Sequence, residues 1–279
     1  MAIVIKENTI IYFTLFFVLL SSGFVYAHGT PPTASNVIIA GNGTINLTEN
    51  ATTSVVVTTT ITDSEGCGDI TGVTVKFYKT ITGVDAVDDE NNHYTQAASL
   101  VPETCFGSST SYAAAIPVWY YADPAEWTAQ VIPTDGTEGA ISTSTVAIDT
   151  LIALSVTDAI DQGELVLGTD TGIADKTTQI TNTGNVGIGV QVNSGASSTA
   201  MTCNTGTISV ENEKYSTSTG VAYALRTALT DLANSIINFS IAQRTGEVST
   251  NFLYWGLGMP IEGVGGICTG KVVFTPIIL

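Results

Sequence analysis

The stretch Thr52-Thr-Ser-Val-Val-Val-Thr-Thr-Thr-Ile-Thr62 is almost entirely β-branched. Branching at Cβ stiffens χ1 against a helical turn and suits a pleated sheet, so this segment is constrained to be a strand. Turn residues follow at once, in Asp63-Ser-Glu-Gly-Cys-Gly68. Val73, Val75 and Phe77 then alternate with Thr74, Lys76 and Tyr78, and Trp127, Ala129 and Val131 alternate with Thr128 and Gln130. Period-two alternation predicts strands with one face buried. Asp135-Gly136 marks a turn, and Ala140–Ile148 reads as the returning strand. Strands at this spacing predict a two-sheet sandwich over residues 28–148.

Composition narrows the function classes. The 279 residues carry 8 Lys+Arg against 25 Asp+Glu, a net charge of −17, which repels phosphate backbones and excludes nucleic-acid partners. A 44% hydrophobic share with only 12% charged residues excludes a disordered chain. Two histidines offer almost nothing to a multi-histidine metal enzyme. The sequence holds no Gly-x-Ser-x-Gly elbow, no His-Glu-x-x-His and no Gly-x-x-x-x-Gly-Lys-Ser/Thr phosphate loop, so no enzymatic activity is expected.

The first 27 residues read as a targeting segment. Lys6 precedes the apolar core Ile10–Leu20, and Val25-Tyr-Ala27 forms a plausible peptidase site that would leave His28 at the mature N-terminus. An uncleaved membrane anchor is the alternative, and either implies export to an extracellular or cell-surface location. The cysteines agree with export: Cys67 and Cys105 fall in the first half, Cys203 and Cys268 in the second. Pairing within each half respects the expected boundary at Asp149-Thr150, predicting the bridges Cys67–Cys105 and Cys203–Cys268. A four-thiolate zinc site is disfavoured, because no Cys-x-x-Cys pair occurs.

Residues 149–279 repeat the strand pattern, with Leu151–Val156, Thr177–Asn185, Val186–Val192, Phe252–Pro260 and Cys268–Thr275 as strand segments. The segment Val221, Leu225, Ala228, Leu229, Leu232 and Ile236 breaks it at helical spacing, predicting a short helix near 221–236 or a long inter-strand loop. Asp123-Pro-Ala-Glu-Trp-Thr-Ala-Gln-Val-Ile-Pro-Thr-Asp135-Gly136 resembles the penultimate strand and turn of bacterial and archaeal immunoglobulin-like surface domains. Thr62–Val73 is similar to the Asp-x-x-Gly hairpin of that class, and Thr181-Asn-Thr-Gly-Asn185 to the tight Asn-x-Gly hairpin of repeated modules in prokaryotic surface and fibre proteins. The resemblance implies an all-β chain of two tandem immunoglobulin-like β-sandwiches, 28–148 and 149–279, behind a signal peptide or anchor at 1–27.

Several residues are candidates for binding. Asp85, Asp88, Asp89 and Glu90 offer oxygen ligands to calcium, against a solvated acidic hairpin tip as the plain alternative. Asp63, Glu65 and Asp69 beside Cys67 form a second calcium candidate. His28 and His93 can hold copper only if they converge. Trp119, Tyr120 and Tyr121 are candidates for an exposed aromatic platform for glycans or a receptor, or for packing. Asn42, Asn46, Asn50 and Asn238 head glycosylation sequons. No catalytic residue and no obligatory cofactor is expected. The leading expectation is an exported structural or adhesive protein, a subunit of an envelope layer or filament that associates with itself or with other envelope proteins. Strand addition at residues 28–36 or at the C-terminal strand is one route to such assembly. A glycan- or receptor-binding module and a copper protein using His28 are the alternatives.

Overall fold

The computed structural model describes residues 29–157, 159–196 and 199–279. The expected signal peptide and His28 lie outside them. The first half contains β1 (Thr33–Ile39), β2 (Thr52–Thr62), β3 (Gly72–Lys79), β4 (His93–Ala97), β5 (Ser99–Leu100), β6 (Ser109–Trp119), β7 (Glu126–Thr134) and β8 (Ser142–Ala147). They form two four-stranded antiparallel sheets, β1-β2-β6-β5 and β4-β3-β7-β8. Alternation does what the sequence requires of it. Val55, Val57 and Ile61 of β2 point inward, as do Val73, Val75 and Phe77 of β3 and Trp127, Ala129 and Val131 of β7. Phe77 and Trp127 pack with ring centroids 5.0 Å apart, and the indole N–H of Trp127 donates to the Asp123 carbonyl at 2.9 Å.

The second half contains β9 (Leu154–Val156), β10 (Lys176–Asn182), β11 (Ile188–Asn193), β12 (Thr199–Thr205), β13 (Thr207–Ser209), β14 (Glu213–Ser216), β15 (Thr227–Ala228), β16 (Asn234–Ile241), β17 (Thr250–Leu257), β18 (Gly265–Gly270) and β19 (Val273–Ile278). Sheets β15-β14-β17-β10-β9 and β16-β11-β19 enclose a core around Ile180, Ile188, Leu253 and Trp255. A third sheet, β13-β12-β18, has its own small core of Cys203, Ile208, Leu257 and Val264. One disulfide lies in each half, Cys67–Cys105 and Cys203–Cys268. The second of these is a cross-strand pair between β12 and β18.

The short helix expected near 221–236 does not form. Only a single 3₁₀ turn, Tyr223–Leu225, interrupts the loop before β15 and β16. The apolar spacing does not mark one buried face, since Leu229 and Ile236 are buried while Leu225 and Leu232 are exposed. Arg226 fixes the irregular path instead. It is buried and donates to the Val221 and Ala174 carbonyls and to Asp175 Oδ1 at 2.9, 3.0 and 2.8 Å.

Thr181-Asn-Thr-Gly-Asn185 is not a hairpin, because β10 and β11 belong to different sheets. The segment arches from one sheet to the other around Asn182. That fully buried side chain donates to the Val186 and Ala242 carbonyls and accepts the Gly184 N–H. Gly184 is required for close approach, not for left-handed backbone: a Cβ there would overlap the Leu151 carbonyl oxygen.

The sheet edges are guarded. Thr33–Ser35, inside the segment expected to be free for strand addition, already pairs with Thr60–Thr62 of β2. The marginal C-terminal strand β19 carries Pro276, which has no N–H to offer an incoming strand. On the other side of the same sheet, β16 breaks register between its pairings with Gly189 and Gln191. Thr33 also bridges Ala140 on the outer side of β1, and β19 keeps an outer edge interrupted by Pro276.

Candidate functional site

The aromatic trio is not a ligand platform. Tyr120 and Tyr121 are 2% and 1% exposed, and the half-buried Trp119 stacks on Tyr121 at 5.7 Å. Trp119 ends β6 and the two tyrosines follow it, where the strand's end meets the second half of the chain, and residues from that half cover them. Arg244 lies over the Tyr121 ring, 4.5 Å from its centroid. Desolvation, and then the hydrogen bond it donates to Glu90 Oε2 at 2.5 Å, push the Tyr121 hydroxyl well above the ordinary tyrosine range. It therefore acts as a permanent donor.

Around the trio runs a line of amide hydrogen bonds between the halves. Gln243 Nε2 donates to the Tyr121 carbonyl at 2.8 Å and to Asp123 Oδ1 at 2.7 Å. Lys79 holds the other oxygen of Asp123 at 2.6 Å. Asn91 Nδ2 donates to the Tyr121 and Arg244 carbonyls at 2.9 and 2.8 Å. Asn185, fully buried, donates to the carbonyls of Ala122 and Asp149 and accepts the Leu151 N–H. Thr183 adds a bond to Glu49 at 2.7 Å. A buried amide leaves no room for a dangling group, so each of these partners fixes the orientation of the two halves.

The loop 85–90 does not gather its carboxylates around an ion. Asp89 accepts three backbone N–H groups, from Asn91, Asn92 and His93. Asp88 is held by His93 and Thr95, and Glu90 by Tyr121. Asp85 is exposed and, among the described residues, belongs to no metal-competent cluster. The loop's own donors consume the acids. His93 is likewise spent: it is 2% exposed, with Nδ1 2.5 Å from Asp88 Oδ1 and Nε2 3.1 Å from the Val84 carbonyl. Neither ring nitrogen is free for copper, and His28 lies outside the described residues. The sequon residues Asn42, Asn46, Asn50 and Asn238 are all exposed.

Acids do converge elsewhere. One carboxylate oxygen from each of Asp63, Asp69 and Asp135 lies within 4.8 Å of the others. Asp63 follows β2, Asp69 precedes β3 and Asp135 follows β7, and the pairing of β3 with β7 at Gly72–Thr134 brings the three turns together. Glu65, expected in this group, is instead held by Ser64 Oγ at 2.7 Å and the Thr30 N–H at 3.1 Å. Those two bonds lower its pKa, the Ser64 one most. Burial, with Glu65 and Asp69 close by, pushes Asp63 up. Asp135 carried only a turn signal in the sequence; its place among the acids depends on strand register, which local pattern does not reveal.

A second unforeseen group is Glu213 on β14. It is 2% exposed and borders a cleft of about 320 Å³ lined also by Val156, Ile160, Met201, Val272 and Phe274. Burial pushes its carboxyl up to about 7.

No protein-family model and no curated protein matches the chain. Among solved structures, it is similar to the CsuC–CsuE chaperone–tip adhesion subunit pre-assembly complex from the archaic chaperone-usher Csu pili of Acinetobacter baumannii. The identity is 10% and the TM-score 0.39, over 86% of this chain and 99% of that one. It is also similar to the C-terminal domain of the Streptococcus agalactiae AgI/II polypeptide BspA, at 9% identity and a TM-score of 0.23, over 88% and 97% of the two chains.

Proposed function

We propose that this chain is a non-enzymatic, exported structural or adhesive protein that works at the cell surface as one stiff two-part unit. The observation that carries the reading is the seam. The aromatic and amide side chains best suited to grip a ligand, Tyr120, Tyr121, Asn91, Asn185 and Gln243, are spent on fixing one half to the other. A disulfide in each half suits an oxidising compartment outside the cytoplasm and resists unfolding there.

Antibody labelling of intact producing cells tests location, and cross-linking followed by size-exclusion chromatography tests partnership. The expected result is a surface-accessible chain cross-linked to copies of itself or to envelope proteins. A chain inaccessible on intact cells, or one that cross-links to nothing, overturns the reading.

A further inference from the structure

We propose that Asp63, Asp69 and Asp135 form a calcium site that clamps three turns at the pole of the first half remote from the seam. Asp63 and Asp135 are 2% and 4% exposed, and each has one carboxylate oxygen, Oδ2, buried with no hydrogen-bond partner. Their other oxygens are occupied: Asp63 Oδ1 accepts the Glu65 N–H at 2.9 Å and Asp135 Oδ1 the Thr137 N–H at 2.8 Å. A buried anionic oxygen without a donor is costly, and a shared cation removes the cost for both at once.

The donor chemistry selects the ion. All three ligands are carboxylate oxygens, with no nitrogen or sulfur, which suits a hard cation and disfavours copper or zinc. Calcium–oxygen distances of about 2.3–2.6 Å allow ligands on opposite sides of the ion to lie up to about 5 Å apart. The 4.8 Å limit on the separations within this triad fits that span. Asp69 is exposed, so water can complete the shell on its side. Magnesium demands near-ideal octahedral geometry and gives up its waters reluctantly, which a rim with two buried acids does not accommodate.

Placement gives the site its consequence. Asp123 at the seam precedes β7 and Asp135 follows it, so the strand's length of about 30 Å separates the two. Asp63 and Asp69 flank Cys67, whose bridge to Cys105 anchors the same turn, and the Thr30 N–H bonds Glu65 between them. An ion here ties the ends of β2 and β7 and the start of β3 to the stretch where the described chain begins.

Equilibrium dialysis of the mature chain against calcium, with magnesium and zinc in parallel, tests the site directly. The expected result is one calcium per chain with a Kd of about 10⁻⁴–10⁻³ M, the range of extracellular modules. Asp69→Asn, on the exposed side, is expected to weaken binding at least tenfold, and Asp135→Asn to abolish it. Thermal melting is expected to show a rise on the order of 5 °C for the wild type at about 10 mM calcium. EDTA should reverse it, and Asp69→Asn should show little of it. No binding at about 10 mM calcium, binding unchanged in Asp69→Asn, or tighter binding of magnesium or zinc overturns the assignment.

Discussion

Gln243 Nε2 sits 2.7 Å from Asp123 Oδ1, and Asp123 Oδ2 sits 2.6 Å from Lys79 Nζ, so one carboxylate between the halves is bonded from both. Removing the amide leaves a partly buried carboxylate oxygen without its donor and the Tyr121 carbonyl with Asn91 as its remaining one. Gln243→Ala is expected to cost about 1–3 kcal/mol in urea unfolding, and Asn91→Ala a similar amount. An exposed control, Asp231→Ala, is expected to change stability by less than about 0.5 kcal/mol.

The buried Arg226 pairs with the half-buried Asp175 at 2.8 Å, which also fixes the loop before β15. Burial alone would raise the Asp175 carboxyl, but hydrogen bonds from Thr219 and Gly220 and the Arg226 charge outweigh it and hold it below the ordinary aspartate value. Arg226→Met leaves Asp175 Oδ1 and two carbonyls without that donor while Thr219 and Gly220 still hold Oδ2, with an expected loss of about 2–3 kcal/mol. Urea denaturation followed by tryptophan fluorescence measures it.

Glu213 gives the stability a pH dependence of defined sign. Its folded pKa is raised from 4.5 to about 7 by burial. Below pH 4.5 the group is protonated in both folded and unfolded states and contributes no loss. As pH rises from there to about 7, the unfolded chain ionises first and stability falls, by about 3 kcal/mol in total. Glu213→Gln is expected to remove that slope and to be more stable than wild type at pH 8. Melting temperatures from pH 4 to pH 8 decide it.

Each disulfide closes a long loop, with sequence separations of 38 and 65 residues. Chain entropy assigns each about 4 kcal/mol, so a Cys67→Ala, Cys105→Ala double variant is expected to lose that amount. Reductant should shift the wild type's melting curve and leave the residual bridge of that variant as its only further loss.

Strand positions were legible because inward residues in β2, β3 and β7 repeat every second position, a pattern local sequence carries in full. Cysteine pairing followed from counting within halves. The stretch 221–236 misled because helical spacing was coincidental, and the deciding contact, Arg226 to Asp175, spans 51 residues. Asn182–Asn185 misled for a related reason: turn chemistry is the same whether the next strand joins the same sheet or another. Trp119-Tyr-Tyr121 looked like a platform because nothing local to it announces Gln243 and Arg244. The acidic pole was half legible, in Asp63 and Asp69, and Asp135 required the β3–β7 register.

We propose that the seam makes the two halves one mechanical unit. Scanning calorimetry of the purified chain distinguishes one unit from two. One transition is predicted for the wild type, with calorimetric and van't Hoff enthalpies in agreement, and two separate transitions for a variant lacking both Asn91 and Gln243 amides. Two independent transitions in the wild type, or a single one unchanged in the double variant, would contradict it.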